Sequence, residues 1–471
     1  MDFKSTESRL RKLDSYRTEF VSKDFSKYKA ISVKEVLDKT FSQDNTDLVR
    51  INGRVLNIRK YKYSSYVILK DFDSKILLQT DESINYNFLK YIDTGDWIEV
   101  IGIENYSDEI KKIVVIDFKL IAKCRFIFPK KLVDKRKRFE NRFLDFSVND
   151  NSLEVVKISS LINKSIRKTL WDKGYSEYNT PTLFSSFNGG VSTPFTTKIT
   201  ALKRSGYLKV TSELYLKQLI SAGFSSVFEI AGSFRNEGID NTHIPGFPLL
   251  EVYKSFADAE YMLELNLEII EKILIDLNGE PCIHLPNKKR IECSKNDWKK
   301  INAHEVIKNK THIDILSDIN NLRIQARKIG IECSDVSGPS TVIGNIIDKT
   351  IRIHTTEPII LTHLPSSMTP LMKKLDEDNR FSDRYWLYLN GVDISDIGSE
   401  QADYEEQIES LEKQFEMMHE AYPHISINKD LVKVVSYGLP KTGGIGCSLS
   451  RLLMAIMSLD DVRETPTFPY V

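Results

Sequence analysis

Residues 234–247 read FRNEGIDNTHIPGF. An arginine, a glutamate, a histidine and a proline–glycine pair sit between two phenylalanines. The flanks, SSVFEIAGS (225–233) and PLLEVYKS (248–255), are rich in apolar and β-branched residues and alternate with period two. They predict two strands, and the stretch between them predicts the tip of a long antiparallel hairpin that carries polar chemistry. Arginine is suited to planar, charge-assisted contact with a phosphate, so Arg235 at the base of the loop is a candidate phosphate ligand. Phe247 on the returning strand offers a face for a flat base, and His243 between them reaches along a polyphosphate. Together these groups would hold ATP in a bent pose. The simpler alternative is a hairpin whose Arg235 and Glu237 merely pair with each other.

Downstream, residues 437–454 read YGLPKTGGIGCSLSRLLM. Gly443, Gly444 and Gly446 allow backbone to approach a ligand closely. A helix is expected to begin near Ser448, with Arg451 in its first turn. Helix amides and a guanidinium aimed the same way suit an anion, although an ordinary loop-to-helix junction looks the same in sequence. Three acids lie near strand-like runs: Glu213 in TSELYLKQL, Glu251 in LLEVYKS and Glu400 in DIGSEQAD. A buried acid is costly unless a cation pairs with it. If Glu213 and Glu400 face one pocket, they call for a cationic guest such as an ammonium. Tyr253, two residues from Glu251 on the same strand face, is expected to hydrogen-bond it.

The upstream part has a different texture. Residues 1–48 read as a helical extension. From 49 to 124 five strand-like runs (VRINGRVLNIRK, YSSYVILKDF, SKILLQTD, DWIEVIGIE and KIVVIDFKLIAK) follow one another with short turns. That spacing predicts a small OB-fold barrel. Arg59, Lys60, Tyr61, Tyr63 and Tyr66 supply the bases and aromatics that single-stranded nucleic acid needs; strand propensity and solvated charge account for the same residues equally well. Residues 125–150 form a basic linker, with Lys130, Lys131, Lys135, Arg136, Lys137 and Arg138 close together. Residues 151–471 mix helices and strands without the βα rhythm of a parallel sheet. The expected class is α+β and multidomain, a barrel followed by an antiparallel-sheet domain flanked by helices.

Composition narrows the function. The 471 residues hold 66 Lys plus Arg against 66 Asp plus Glu, so bulk charge predicts no polyanion partner and any such footprint is local. The cysteines, Cys124, Cys282, Cys293, Cys333 and Cys447, are scattered and never form CxxC, which fits reduced thiols in a cytoplasmic setting. No apolar run approaches the roughly 20 residues of a membrane span. The N-terminal stretch mixes acids with bases, unlike a signal or transit peptide.

In order, these features resemble the class II aminoacyl-tRNA synthetases, most closely their lysine-specific branch. GYSEYNTPTL (174–183) is similar to the family's first motif, FRNEGIDNTHIPGF to its second and GGIGCSLSR (443–451) to its third; NGGVSTPF, TSELYLKQL, LEVYKSFADAEYM and GSEQAD are similar to the segments between. The resemblance implies ATP held by Arg235, Glu237, His243, Phe247 and Arg451, with Arg235 and Arg451 as the catalytic pair. It implies lysine read by Glu213, Tyr253 and Glu400 at the ε-ammonium and by Glu251 at the α-amino group, with Gly189 and Gly190 leaving room. It further implies Mg²⁺, a homodimer with Pro181 at its interface, and an anticodon of tRNA(Lys) read from the barrel by Arg59 and Tyr66.

The chain departs from the family pattern at several of these places. Trp386 stands where a magnesium-binding glutamate is usual, and Asp393 stands for its partner glutamate. Asp396 takes the place of an asparagine and is a candidate replacement ligand, so Asp393 and Asp396 are the expected metal pair. Gly398 replaces an aromatic beside the lysine side chain, Ser448 and Ser450 replace a glycine and an aspartate, and Leu77 replaces an anticodon-reading glutamine. Two functions are therefore expected: a lysine–tRNA ligase, or a paralogue that adenylates an amino acid for another acceptor or serves as a binding or regulatory protein.

Overall fold

A computed structural model describes residues 3–19, 24–39, 48–72, 74–107, 110–185, 187, 192–419 and 427–470. The chain divides into two compact units, Met1–Asp150 and Asn151–Val471.

In the first unit, helices α1 (Phe3–Glu19) and α2 (Val33–Asp38) precede the strands. Ser32 and Glu35 form a reciprocal capping box that starts α2. Strands β1 (Leu48–Lys60), β2 (Ser65–Lys70) and β3 (Lys75–Thr80), helix α3 (Glu82–Tyr91), and strands β4 (Trp97–Ser107) and β5 (Ile110–Ala122) follow. The strands close into a barrel in the order β1-β2-β3-β5-β4. Alternation sets its inside: Val67, Leu69, Ile76 and Leu78 are buried, while their neighbours Tyr66, Ile68, Leu77 and Gln79 are half-buried on the outer face. Gly102 is required by packing, since a Cβ there would lie 2.3 Å from the Val114 carbonyl oxygen. The basic stretch after the barrel is helical, as α4 (Lys135–Glu140) and α5 (Arg142–Val148). Part of its charge is internal: Arg138 and Arg142 converge on buried Asp145, at 3.1 and 2.7 Å.

The second unit opens with α6 (Asp150–Asp172), then β6 (Ser176–Glu177), β7 (Leu183–Phe184), β8 (Thr196–Ile199), β9 (Arg204–Leu208) and α7 (Glu213–Ser221). The hairpin strands are β10 (Ser226–Phe234) and β11 (Gly246–Ser255), followed by α8 (Ala259–Asn278). A segment with its own small core comes next: β12 (Cys282–His284), β13 (Arg290–Glu292), β14 (Lys299–Asn302), α9 (Ala303–Thr311), α10 (Ile319–Lys328) and α11 (Pro339–Thr350). The chain ends with β15 (Ile359–Thr362), β16 (Arg384–Leu389), β17 (Val392–Ser399), α12 (Tyr404–Met418), α13 (Lys429–Ser436), β18 (Thr442–Ser448) and α14 (Leu449–Met457).

Eight strands form the central sheet in the order β14-β15-β16-β17-β18-β11-β10-β6, antiparallel except at β14–β15 and β10–β6. Helices α6, α8 and α14 cover one face, where Leu250 and Val252 of β11 join Ile162, Ile166, Leu263, Ile270 and Leu452 in the main core. The other face of β11 carries Phe247, Leu249, Glu251 and Tyr253 into an open cavity. Strand alternation thus divides β11 between core and site.

Candidate active site

The cavity measures about 460 Å³ and spans the middle of the central sheet. The second-motif hairpin forms one wall. Its strands pair from Ser226↔Lys254 to Phe234↔Gly246, and the Arg235 N–H donates to the Pro245 carbonyl at 2.9 Å to close the loop. Asp240 shapes the tip by accepting from the backbone N–H of Thr242 (2.6 Å) and of His243 (2.8 Å), a local turn typical of aspartate. The tip is latched to the C-terminal segment by Val462 N–H donating to the Asn241 carbonyl at 2.8 Å.

Both arginines singled out in the sequence line this cavity. The Arg235 guanidinium carbon sits 5.3 Å from the centre of the Phe247 ring. Its Nε is shut from solvent without a hydrogen-bond partner, and no ion pair joins it to Glu237 among the described residues. Burial lowers the Arg235 pKa, Arg451 adds to that, and Glu237 and Glu251 oppose it. A buried donor of this kind is costly until an acceptor arrives. Arg451 lies in the first turn of α14, which Ser448 caps by accepting the Arg451 N–H at 3.4 Å. Ser448, one of the departures, therefore starts the helix that positions Arg451. Arg451 Nη2 meets His243 Nε2 at 3.1 Å, and Nη1 pairs with Asp393. His243 Nδ1 lies 3.0 Å from Asp240, so a proton on Nδ1 leaves Nε2 to accept from Arg451. Glu237 accepts from the Thr193 N–H at 3.3 Å.

The acids gather at the other end. Glu251 is cross-strand to Glu229, which is held by Lys209 at 2.8 Å. Burial pushes the Glu251 carboxyl up to about 8; a hydrogen bond from Thr211 opposes the shift, and Glu213 and Glu229 add to it. The expected bond from Tyr253 is not what forms: Thr211 is the donor to one Glu251 oxygen and the other has no partner. The reason is directional, since side chains two apart on a strand stand parallel, whereas Thr211 arrives from the facing segment. Glu213 and Glu400 do share one pocket, as expected. Between them lies a residue the sequence reading passed over: Lys217 Nζ is 2.6 Å from Glu213 and 2.5 Å from Glu400. Gly444 makes room for this contact, since a Cβ there would lie 2.2 Å from Glu400 Oε1 and 2.7 Å from the Tyr253 ring.

Asp393 and Asp396, the expected metal pair, both line the cavity. Asp396 spends both oxygens on Arg384, at 2.7 and 2.5 Å, and the Arg384 guanidinium lies over the Trp386 ring at 4.9 Å. Trp386 and Asp396 are cross-strand partners. Asp396, expected as a replacement metal ligand, is held here by a bidentate guanidinium. Asp393 keeps its place in the cavity with only Arg451 to release. Beside Gly398, the space of the absent aromatic is filled by Met372, whose Sδ would lie 2.4 Å from a Cβ at that position. Ser450 is buried in α14. Gly189 and Gly190 lie outside the described residues. Pro181 is exposed.

On the barrel, Arg59 and Tyr66 are cross-strand partners, and Gln79 stands on the other side of Tyr66. Gln79 was passed over in the sequence, although it shares the outer face with Leu77, two residues before it; its side-chain oxygen has no hydrogen-bond partner.

An antiparallel sheet that brings two motif arginines to a hairpin-walled cavity is the frame of one synthetase class. The family model described as tRNA synthetases class II (D, K and N) matches residues 134–471, and the chain belongs to that family. Within it the similarity is to the lysine enzymes. The chain is 32% identical to the lysine–tRNA ligase of Mycoplasma genitalium over 89% of this chain and 87% of the relative. It is 30% identical to that of Fervidobacterium nodosum over 97% of this chain and 89% of the relative. The LysX protein of Mycolicibacterium gilvum, named for lysylphosphatidylglycerol biosynthesis, is 30% identical over 89% of this chain but 40% of its own length.

Gly444→Ala tests the geometry directly. The added methyl has only Glu400 and Tyr253 to displace; it is expected to cost on the order of 1–3 kcal/mol in denaturant unfolding, the usual range for forcing a methyl into packed surroundings.

Proposed function

We propose that the chain is a lysine–tRNA ligase that activates lysine with ATP and transfers it to tRNA(Lys). The observation that carries this reading is the cavity itself: two guanidinium groups and an acidic set, Glu213 with buried Glu251 and Glu400, line one open space. The guanidinium groups suit a polyphosphate, the acids an amino acid with a cationic side chain.

In the first step the lysine carboxylate attacks the α-phosphorus of ATP. A carboxylate–phosphorus bond forms, the bond to the bridging oxygen breaks, and pyrophosphate leaves with its electrons. Arg235, whose Nε is buried and unpartnered, is aimed at the α-phosphate and stabilises charge developing there. Phe247 stacks on the adenine, and Glu237 contacts its edge. Arg451 exchanges Asp393 for the nucleotide, and His243 turns to the γ-phosphate. Glu213, Tyr253 and Glu400 read the ε-ammonium. Glu251, its carboxyl pushed up to about 8 by burial, receives the α-ammonium. In the second step the terminal ribose hydroxyl of the tRNA attacks the lysyl carbonyl and AMP leaves. No covalent enzyme intermediate is needed; positioning and charge neutralisation supply the rate.

Mg²⁺ bound with the nucleotide would neutralise phosphate charge, and Asp393, freed from Arg451, is the residue that would hold it. Trp386 offers no oxygen, and Asp396 is engaged by Arg384. The barrel face with Arg59, Tyr66 and Gln79 is the proposed anticodon contact, supported by the row these residues form across three strands. Homodimerisation through the exposed Pro181 region and a cytoplasmic location complete the reading. Among the described residues no helix is long and apolar enough to cross a membrane.

ATP–pyrophosphate exchange across the twenty amino acids, with and without tRNA, tests this function. Lysine-dependent exchange followed by charging is expected; exchange without charging would point to another acceptor. Arg235→Ala is expected to lower lysine-dependent exchange on the order of 10²–10³-fold, the scale for losing one electrostatic clamp; exchange within a few-fold of the parent would remove Arg235 from the mechanism. In a magnesium titration of the same reaction, Asp393→Asn is expected to raise the requirement and Asp396→Asn to leave it in place.

A further inference from the structure

The two acids that read the side-chain ammonium are already engaged by an ammonium of the protein. Lys217 belongs to α7, one turn after Glu213, so the pair shares a helix face. Its side chain is 1% exposed and its Nζ touches Glu213 at 2.6 Å and Glu400 at 2.5 Å. The Tyr253 ring centre is 5.9 Å away. Glu213, Tyr253 and Glu400 line the cavity, and Lys217 does not. The ammonium therefore lies behind the carboxylates, with the acids between it and the guest.

We propose that Lys217 is a positioning residue for side-chain selection: a built-in counter-cation, in contact with both Glu213 and Glu400, that offsets one of their two charges and leaves the pocket suited to a single substrate ammonium. The proposal rests on the lysine reading above. Glu400 is buried and Glu213 beside it is half-buried, and a buried carboxylate next to a second acid favours its protonated form unless a cation compensates. Without Lys217, burial would favour the protonated form of Glu400 and weaken the counter-charge offered to the guest. The titratable groups facing Glu400 bear this out. From α7 come Glu213 and Lys217, from β11 Tyr253, and from β17 Asp396; Lys217 is the cation of the set. Burial raises the Glu400 carboxyl, Lys217 counters that rise, and Glu213 and Asp396 add to it. On Lys217 burial works against the charge, and Glu213 and Glu400 overcome it, so the ammonium is held above its ordinary range.

The test is lysine binding by calorimetry at pH 7 and pH 9 for the parent, for Lys217→Met, which keeps the buried stem filled, and for the double variant Glu213→Gln/Lys217→Met, which restores a single negative charge with one acid. The parent is expected to bind lysine at both pH values; failure there refutes the lysine reading itself, separately from the role of Lys217. Lys217→Met is expected to weaken lysine on the order of 10–100-fold at pH 7, as for loss of a buried charge-assisted contact. The deficit should shrink to a few-fold at pH 9, where Glu400 re-ionises while the lysine side chain stays charged. ATP affinity should hold. The double variant should bind more tightly than Lys217→Met at pH 7. An equal loss at both pH values, unchanged or tighter binding by Lys217→Met, or failure of both variants to fold would overturn the proposal.

Discussion

Everything at the centre of this protein depends on the alternation of one strand. β11 sends Leu250 and Val252 into the core beneath helices α6, α8 and α14, and sends Phe247, Leu249, Glu251 and Tyr253 into the cavity. A slip of one residue would bury the acid in the hydrophobic layer and present aliphatic side chains to the ligand. The register is fixed from both sides, by β10 from Ser226↔Lys254 onward and by β18 through Glu251↔Gly446 and Tyr253↔Gly444. The glycines of β18 matter for the same reason. Gly444 leaves that strand without a side chain where Glu400 and Tyr253 need the room. Fold stability and substrate selection are thus two consequences of one pairing pattern.

The departures from the family pattern make physical sense in groups. Trp386 of β16 and Asp396 of β17 are cross-strand partners, and Arg384 lies against both, stacked on the indole and paired with the acid. Gly398 opens a gap that Met372 fills from a neighbouring segment, so the pocket keeps an apolar wall with a more adaptable side chain. Ser448 takes up helix capping. Single positions read as losses become, in space, exchanges between neighbours.

Much of this was legible in the sequence because its signals are local. The hairpin, the five barrel strands, the helix after the glycine-rich turn and the two arginines follow from alternation, turn residues and motif order. Lys217 was missed although TSELYLKQL carries it one turn after Glu213. The i,i+4 spacing marked a pair on one face, but that Glu400, far along the chain, would complete the triad is a tertiary fact. Arg384 and Met372 were missed for the same reason: their partners are set by strand pairing and packing across the sheet. Thr211 displaced Tyr253 as the donor to Glu251 because parallel side chains on one strand cannot turn toward each other as readily as a facing segment can reach them. Gln79 was visible by the period of two that places it beside Leu77, and its setting next to Tyr66 emerged only with the register of β2 and β3.

The central claim is that one cavity joins two guanidinium groups from distant parts of the chain to an acidic recess for a single cationic side chain. The most direct measurement is a crystal structure with a non-hydrolysable lysyl-adenylate analogue. The account predicts the Arg235 and Arg451 guanidinium groups on the nucleotide, Asp393 released from Arg451, and the ligand ammonium against Glu213 and Glu400 with Lys217 still behind them. A ligand ammonium directed away from those acids, or an Arg451 still bound to Asp393 and off the nucleotide, would contradict it.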